Sequence, residues 1–237
     1  MTEAVTATLS RQSGLMKELS VLANNIANAG TAGFKREAAI FAEYVKGHAE
    51  APSTSIGRLR AHYTDHTPGA FDQTGRETDF AILGKGFFAV EREEEMYLTR
   101  AGGFRWDDEG SLVTPDGDAV LDEGGKAIQR PQGGGPVVMS DDGVLSVDGQ
   151  PFASLGVMDA DENQLTRLGG GLWTNTGPLR VVEQPTLRQG VLEGSNVAPV
   201  REMARLIETQ RLYEAGATIQ NNEDERIRGL IDAIGQG

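Results

Sequence analysis

Residues 107–125 read DDEGSLVTPDGDAVLDEGG. Two short apolar stretches, Ser111–Thr114 and Ala119–Leu121, are separated by Asp107-Asp-Glu-Gly110, Pro115-Asp-Gly-Asp118 and Asp122-Glu-Gly-Gly125. Asp and Gly in such clusters close tight turns, Asp by accepting backbone N–H groups and Gly by tolerating positive φ. The same rhythm extends upstream through Phe80–Leu83, Gly84-Lys-Gly86, Phe87–Val90, Tyr97–Thr99 and Phe104–Trp106. Downstream it continues through Lys126–Arg130, Val137–Met139, Val144–Val147 and Phe152–Met158. Strands this short, punctuated by turns, predict an antiparallel β domain over residues 78–176, either a meander or a partly closed barrel.

Outside this region the period changes. Val5, Leu9, Gln12, Met16, Leu19, Ala23 and Ile26 are spaced alternately four and three residues apart, one seam of a helix over residues 3–28. Leu15 and Leu22 widen the stripe, and Gly30 is a natural stop. At the other end Ser195 or Asn196 can cap a helix, with Pro199 in its first turn. Val200, Met203, Ile207, Gln210, Ala217, Ile227, Ile231 and Ile234 then recur on one face, interrupted by the polar run Gln220–Arg226. Each stripe suits either packing inside its own domain or a partner helix. Between the first helix and the β domain, ANNIANAGTAGFK (Ala23–Lys35) gathers Asn24, Asn25 and Asn28 before Gly30, Gly33 and Phe34. Three Asn residues there suit a polar junction with specified hydrogen bonds, or an ordinary frayed helix end.

The chain therefore reads as α+β, its N- and C-terminal helices pairing as a coiled-coil-like layer around an inserted antiparallel β domain. Residues 1–46 hold the first helix and junction, and 47–77 an extended connector. The β domain spans 78–176, a return connector 177–194, and the last helix 195–237.

Charge and composition narrow the function. The 22 Lys plus Arg against 35 Asp plus Glu give a formal charge of −13, which leaves no basic excess to displace counterions from nucleic acid. Cysteine is absent, removing disulfides, thiolate catalysis and Cys-ligated metals. No run approaches the ~18 apolar residues of a membrane span. Glu3 lies early and no apolar core follows it, so a cleavable signal peptide is not expected. Phosphate-loop and nucleophile-elbow motifs are missing. His62-x-x-x-His66 is followed at once by Pro68 and Gly69, a poor setting for a metal site. Asp107-Asp-Glu-Gly110 and Asp141-Asp-Gly143 lack the alternating ligands of a Ca²⁺ loop and suit hairpin turns better. No enzyme, cofactor or metal is expected.

Four stretches carry a family resemblance. ANNIANAGTAGFK resembles the N-terminal signature of the flagellar axial proteins of rod and hook, and GVLEGSNVAPVREMARLIETQRLYEA (Gly190–Ala215) their C-terminal signature. TPGAFDQTGRETDFAILGKGFFAV (Thr67–Val90) and LTRAGGFRWDDEGSLVTPDG (Leu98–Gly117) resemble the start of the rod β domain. The chain departs from the family at Ala32, where a second Thr is usual, at Leu98, where Tyr is usual, and at Gly14 inside the first helix. Its length and single small middle domain, with SDDGVLSVDGQPFASLGVMD (Ser140–Asp159), favour the proximal-rod type.

The resemblance implies a structural subunit of the flagellar basal-body rod, in the periplasm, self-assembling through paired terminal helices into a hollow axial tube. Partners would be further copies, other rod proteins and the flagellar type III export apparatus, without nucleic acid or membrane insertion. The assembly seam would comprise Val5, Leu9, Met16, Leu19 and Ile26 with Val200, Met203, Ile207, Ile227 and Ile231. Asn24, Asn25, Asn28, Gly30, Gly33, Phe34, Ser195 and Asn196 would shape the junction. Phe41-Ala-Glu-Tyr-Val45 resembles a gate-recognition element of export substrates. Alternatives are a distal-rod or hook-type axial protein, or a non-catalytic β-domain binding module dimerised by its helices.

Overall fold

The computed structural model describes residues 2–48 and 51–235, with side-chain environments given outside 2–8, 40–62 and part of 223–235. The chain divides into two compact units. A helical unit comprises residues 1–29, 35–66 and 197–237, and a β unit comprises 30–34 and 67–196.

In the helical unit, α1 (Thr2–Ala27) and α2 (Pro199–Gly235) are joined by a long antiparallel hairpin of β1 (Glu37–His48) and β2 (Ala51–Thr64). The hairpin register runs from Glu37 opposite Thr64 to His48 opposite Ala51, and α1 lies against both strands. This stretch replaces much of the connector expected over 47–77. Within β2, Leu59, Ala61 and Tyr63 alternate with Arg58, Arg60, His62 and Thr64, but Pro52 and the polar run Ser53–Ser55 obscure the strand's first half, where the pairing rests on backbone bonds. Pro199 opens α2, where its missing N–H costs nothing. Arg201 and Glu202 both donate their backbone N–H to Ala198 O, so the helix starts after Ala198 rather than at the expected caps Ser195 or Asn196. Among the described residues no helix is long and apolar enough to cross a membrane.

The β unit contains β3 (Phe71–Gln73), β4 (Phe80–Ile82), β5 (Phe87–Arg92), β6 (Glu95–Thr99), β7 (Arg105–Trp106), β8 (Leu112–Val113) and β9 (Ala119–Val120). It continues with β10 (Val137–Met139), β11 (Val144–Val147), β12 (Gln150–Ser154), β13 (Val157–Asp159), β14 (Leu165–Arg167) and β15 (Leu172–Asn175). The series ends with β16 (Arg180–Val181), β17 (Leu187–Gln189) and β18 (Val191–Glu193). All pairings are antiparallel. The main sheet runs β14-β15-β6-β5-β9-β8-β7, with β13 also on β5; β10-β11-β12 form a second sheet, and β17-β4 and β18-β3 are separate pairs. Lys126–Arg130 contributes single bridges rather than a strand. The expected return connector carries β16, β17 and β18, which reach back to β13, β4 and β3. Long-range pairing of this kind escapes a reading of local runs.

β5 explains the core. Its first four residues, Phe87–Val90, are all buried. Side chains alternate across a strand, so Phe88 and Val90 enter one cluster with Phe80, Phe104, Leu112 and Val120, while Phe87 and Ala89 enter another with Leu98, Met158 and Trp173. Phe88 meets Phe104 edge-on at 5.3 Å, a favoured aromatic geometry. The Asp-Gly clusters do the turning. Asp107 Oδ1 accepts from Glu109 N and Ser111 N, and Asp122 Oδ1 accepts from Gly124 N and Lys126 N. These carboxylates are occupied by their own loops.

Candidate assembly site

Asn25 organises the end of α1. Its side chain is fully buried, which an amide tolerates only when hydrogen-bonded. Nδ2 donates to Glu37 O at 2.8 Å and to Glu202 Oε2 at 3.0 Å, while Oδ1 accepts from Glu37 N at 3.0 Å. Glu202, also fully buried, takes Arg36 Nε on its other oxygen at 2.7 Å. The carboxylate sits in the first turn of α2, where the helix dipole favours negative charge. One buried acid thus ties α1, the entry to β1 and the start of α2 together.

This network sets the helices antiparallel. Besides the Asn25–Glu202 bond, Arg205 Nη2 donates to Glu18 Oε1 at 3.3 Å, and a Cβ placed on Gly216 would lie 3.6 Å from Gln12 Nε2. The inward face of α1 carries Gly14, Val21, Leu22 and Asn25. On α2 the inward positions are Glu202, Leu206, Thr209, Tyr213, Gly216 and Gln220, buried or half-buried at alternating steps of four and three. Polar and small residues therefore take much of the inside.

The apolar stripes fall elsewhere. Leu9 (50%), Met16 (51%), Val200 (77%) and Ile207 (52%) are exposed, as is Met203. Leu212 and Ile219 extend the exposed stripe on α2. Leu19 and Ile26 are half-buried. The side chains of Val5, Ile227 and Ile231 lie outside the described residues. Phe41–Val45 falls in β1, its side chains likewise outside the described residues.

The junction residues separate into two groups. In the helical unit Asn24 is exposed, and Asn28 turns its Nδ2 onto Asn24 O at 2.9 Å, closing the helix end locally. Gly30, which begins the β unit's 30–34 segment, is exposed, and a Cβ there would meet nothing. In the β unit Gly33 has φ of +69°, and a Cβ on it would fall 2.3 Å from the Arg100 carbonyl carbon. Only glycine fits that position. Phe34 is buried beneath the Arg167 guanidinium, 4.2 Å from its ring centre, and the same guanidinium stacks on Trp173 at 4.6 Å. Asn196 Nδ2 donates to Thr67 O at 2.9 Å, so it pins the 67–70 segment rather than capping a helix. Ser195 is half-buried beside it.

A second buried acid anchors the β unit. Glu193 Oε2 accepts from Arg100 Nη1 at 3.2 Å, its Oε1 accepts from Gly69 N at 3.3 Å, and its backbone carbonyl accepts from Gly33 N at 2.7 Å. Arg100 also donates to Ile82 O and Gly84 O and lies over the Phe87 ring. Burial pulls the Arg100 pKa below its ordinary value, and the Glu193 charge opposes that fall. Glu202, Arg36, Glu193 and Arg100 were not singled out from the sequence. A Glu in a helical run and an Arg between turns carry no pattern of their own; only burial distinguishes them. Both carboxylates face donors from within their own unit, an arrangement that anchors segments.

Three family profiles match successive parts of the chain. The family profile described as "Flagella basal body rod protein" matches residues 7–35. "Flagellar hook protein FlgE/F/G D1 domain" matches 81–147, and "Flagellar basal body rod FlgEFG protein C-terminal" matches 188–232. The flagellar basal-body rod protein FlgF of Caulobacter vibrioides is 36% identical, covering 100% of this chain and 99% of that protein. FlgF of Mesorhizobium japonicum is 34% identical, over 97% of this chain and 98% of that protein. The rod protein FlgG of Bacillus subtilis is 30% identical, over 94% and 96%.

Proposed function

Because the chain belongs to the flagellar basal-body rod protein family and is a structural subunit of the rod, most like FlgF, we propose that it takes the proximal-rod position and assembles through the apolar stripes of its terminal helices. One observation carries the assembly reading: Leu9 and Met16 on α1, and Val200, Met203 and Ile207 on α2, stand in solvent although each would gain ~1.5–3 kcal/mol on full burial. An exposed row at helical spacing asks for a partner helix. Helices of neighbouring copies, packing coiled-coil fashion, would supply it, and a head-to-tail contact that does not close would build a tube. The partners are then further copies and other rod proteins, and the role is architectural rather than catalytic. Localisation would be the periplasmic section of the basal body, reached through the flagellar export apparatus. Phe41–Val45 is the stretch proposed to be recognised there while the chain is unfolded.

The test is incorporation. Hook–basal bodies purified from cells carrying the natural chain should contain it at a few copies by quantitative mass spectrometry. Met16→Asp or Ile207→Asp should remove it from the structure and abolish swimming, while changing the stability of the isolated chain by no more than ~0.5 kcal/mol. Normal incorporation of both variants would rule the stripes out as the interface. A copy number in the tens would move the subunit to the distal rod.

A further inference from the structure

β10 is the outer strand of the β10-β11-β12 sheet. Its central residue, Val138, pairs with Ser146 of β11, so Val137 and Met139 turn their backbone groups outward. Such an edge, with the sequence Val-Val-Met, is a template for another strand. Here those positions are filled. Gln189 Nε2 donates to Val137 O at 2.9 Å, and Gln189 Oε1 accepts from Met139 N at 3.0 Å. The remaining Nε2 hydrogen reaches Glu77 O at 2.7 Å, and Glu77 Oε2 accepts from Val137 N at 3.3 Å. One step further along, Leu187 N donates to Asp141 O at 3.0 Å. The backbone of Gln189 is itself fixed by β17, opposite Phe80 of β4.

An amide side chain carries the same donor and acceptor as a peptide group. We infer that Gln189 serves as a one-residue surrogate strand, closing the outer edge of β10 against strand addition by the β10 edge of a second copy. Val138 marks the reason such closure matters, since its side chain is exposed on that edge. The helix stripes then remain the surface through which copies meet, and β pairing between copies is suppressed. The inference is independent of the rod position proposed above.

Hydrogen exchange on the purified full chain tests it, with Gln189→Ala compared against the natural sequence. The Met139 amide should exchange roughly tenfold faster in the variant, while Val138, bonded into β11, keeps its protection. Gln189→Ala should also form concentration-dependent oligomers, by light scattering, beyond any that the natural chain forms at the same concentration. Adding Val138→Lys, an edge charge, should return Gln189→Ala to the natural size distribution. Unchanged Met139 exchange overturns the inference. Equal loss of protection at Val138 and Met139 also overturns it, because the amide then only supports the sheet. So does the absence of oligomers, or oligomers that Val138→Lys leaves undiminished.

Discussion

The two units use burial in opposite ways. In the β unit the interior belongs to Phe80, Phe88, Val90, Phe104, Leu112 and Val120, and the charged residues Arg100 and Glu193 enter only as a pair. In the helical unit Asn25, Glu202 and Thr209 lie inside, while Leu9, Met16, Val200, Met203 and Ile207 lie outside. The first unit gathers most of its large apolar side chains within itself, though Phe71, Val138 and Val181 remain exposed. The second places polar groups where they set the partners and direction of two helices, and leaves apolar area unspent. A buried polar network contributes specificity more reliably than stability. The contrast is between a unit organised around an apolar core and one whose helices are tied by buried polar bonds and carry exposed apolar rows.

Breaking the β unit should have the largest effect. Phe88→Ala removes an aromatic ring from the centre of its cluster and should cost about 3–5 kcal/mol. Both tryptophans, Trp106 and Trp173, belong to the β unit, so their fluorescence melt should fall by the corresponding amount. Glu202→Ala attacks the other side of the comparison. It removes the acceptor of Arg36 Nε and of one Asn25 hydrogen and should cost roughly 3 kcal/mol, near the low end for a broken buried pair because Arg36 is partly solvated. The loss should appear in the far-UV helical signal and leave the tryptophan melt in place. Coincident shifts of both probes would mean that the units do not melt separately.

Gly33→Ala comes next, at about 2 kcal/mol, from positive φ and from a methyl group driven against the Arg100 backbone. Because Gly33 belongs to the β unit, the tryptophan signal should register it. Gly30→Ala, three residues earlier, has open space and a permitted backbone, and its melt should be indistinguishable from the natural chain. Met16→Asp and Ile207→Asp should change stability least, since both positions are exposed, and on the proposed reading they act on assembly.

Much of the β unit was legible because its signals are local. Asp107 and Asp122 close their turns through bonds to residues two and four along, and the strand at Phe87–Val90 announces itself by four consecutive apolar residues. The hairpin of β1 and β2 was only half legible: Leu59, Ala61 and Tyr63 alternate with Arg58, Arg60 and His62, but Pro52 and Ser53–Ser55 mask the first half of β2 and make it resemble a connector. The cluster of Asn residues pointed to the right place but not to the right member. Asn25 is buried and triply bonded, whereas Asn24 is exposed, and nothing in their identity separates them.

The sequence by itself determined the α+β character, the turns, the two terminal helices and the family, because these follow from residue type and from spacing along the chain. The tertiary structure alone decided which face of each helix points inward. On α2 two stripes are available with the same alternating period, one through Val200, Met203 and Ile207 and one through Glu202, Leu206 and Thr209. Hydrophobicity favours burying the first. The Arg36–Glu202–Asn25 network selects the second, because burying a carboxylate is tolerable only where both of its oxygens are met by donors, and those donors come from α1 and the approach to β1.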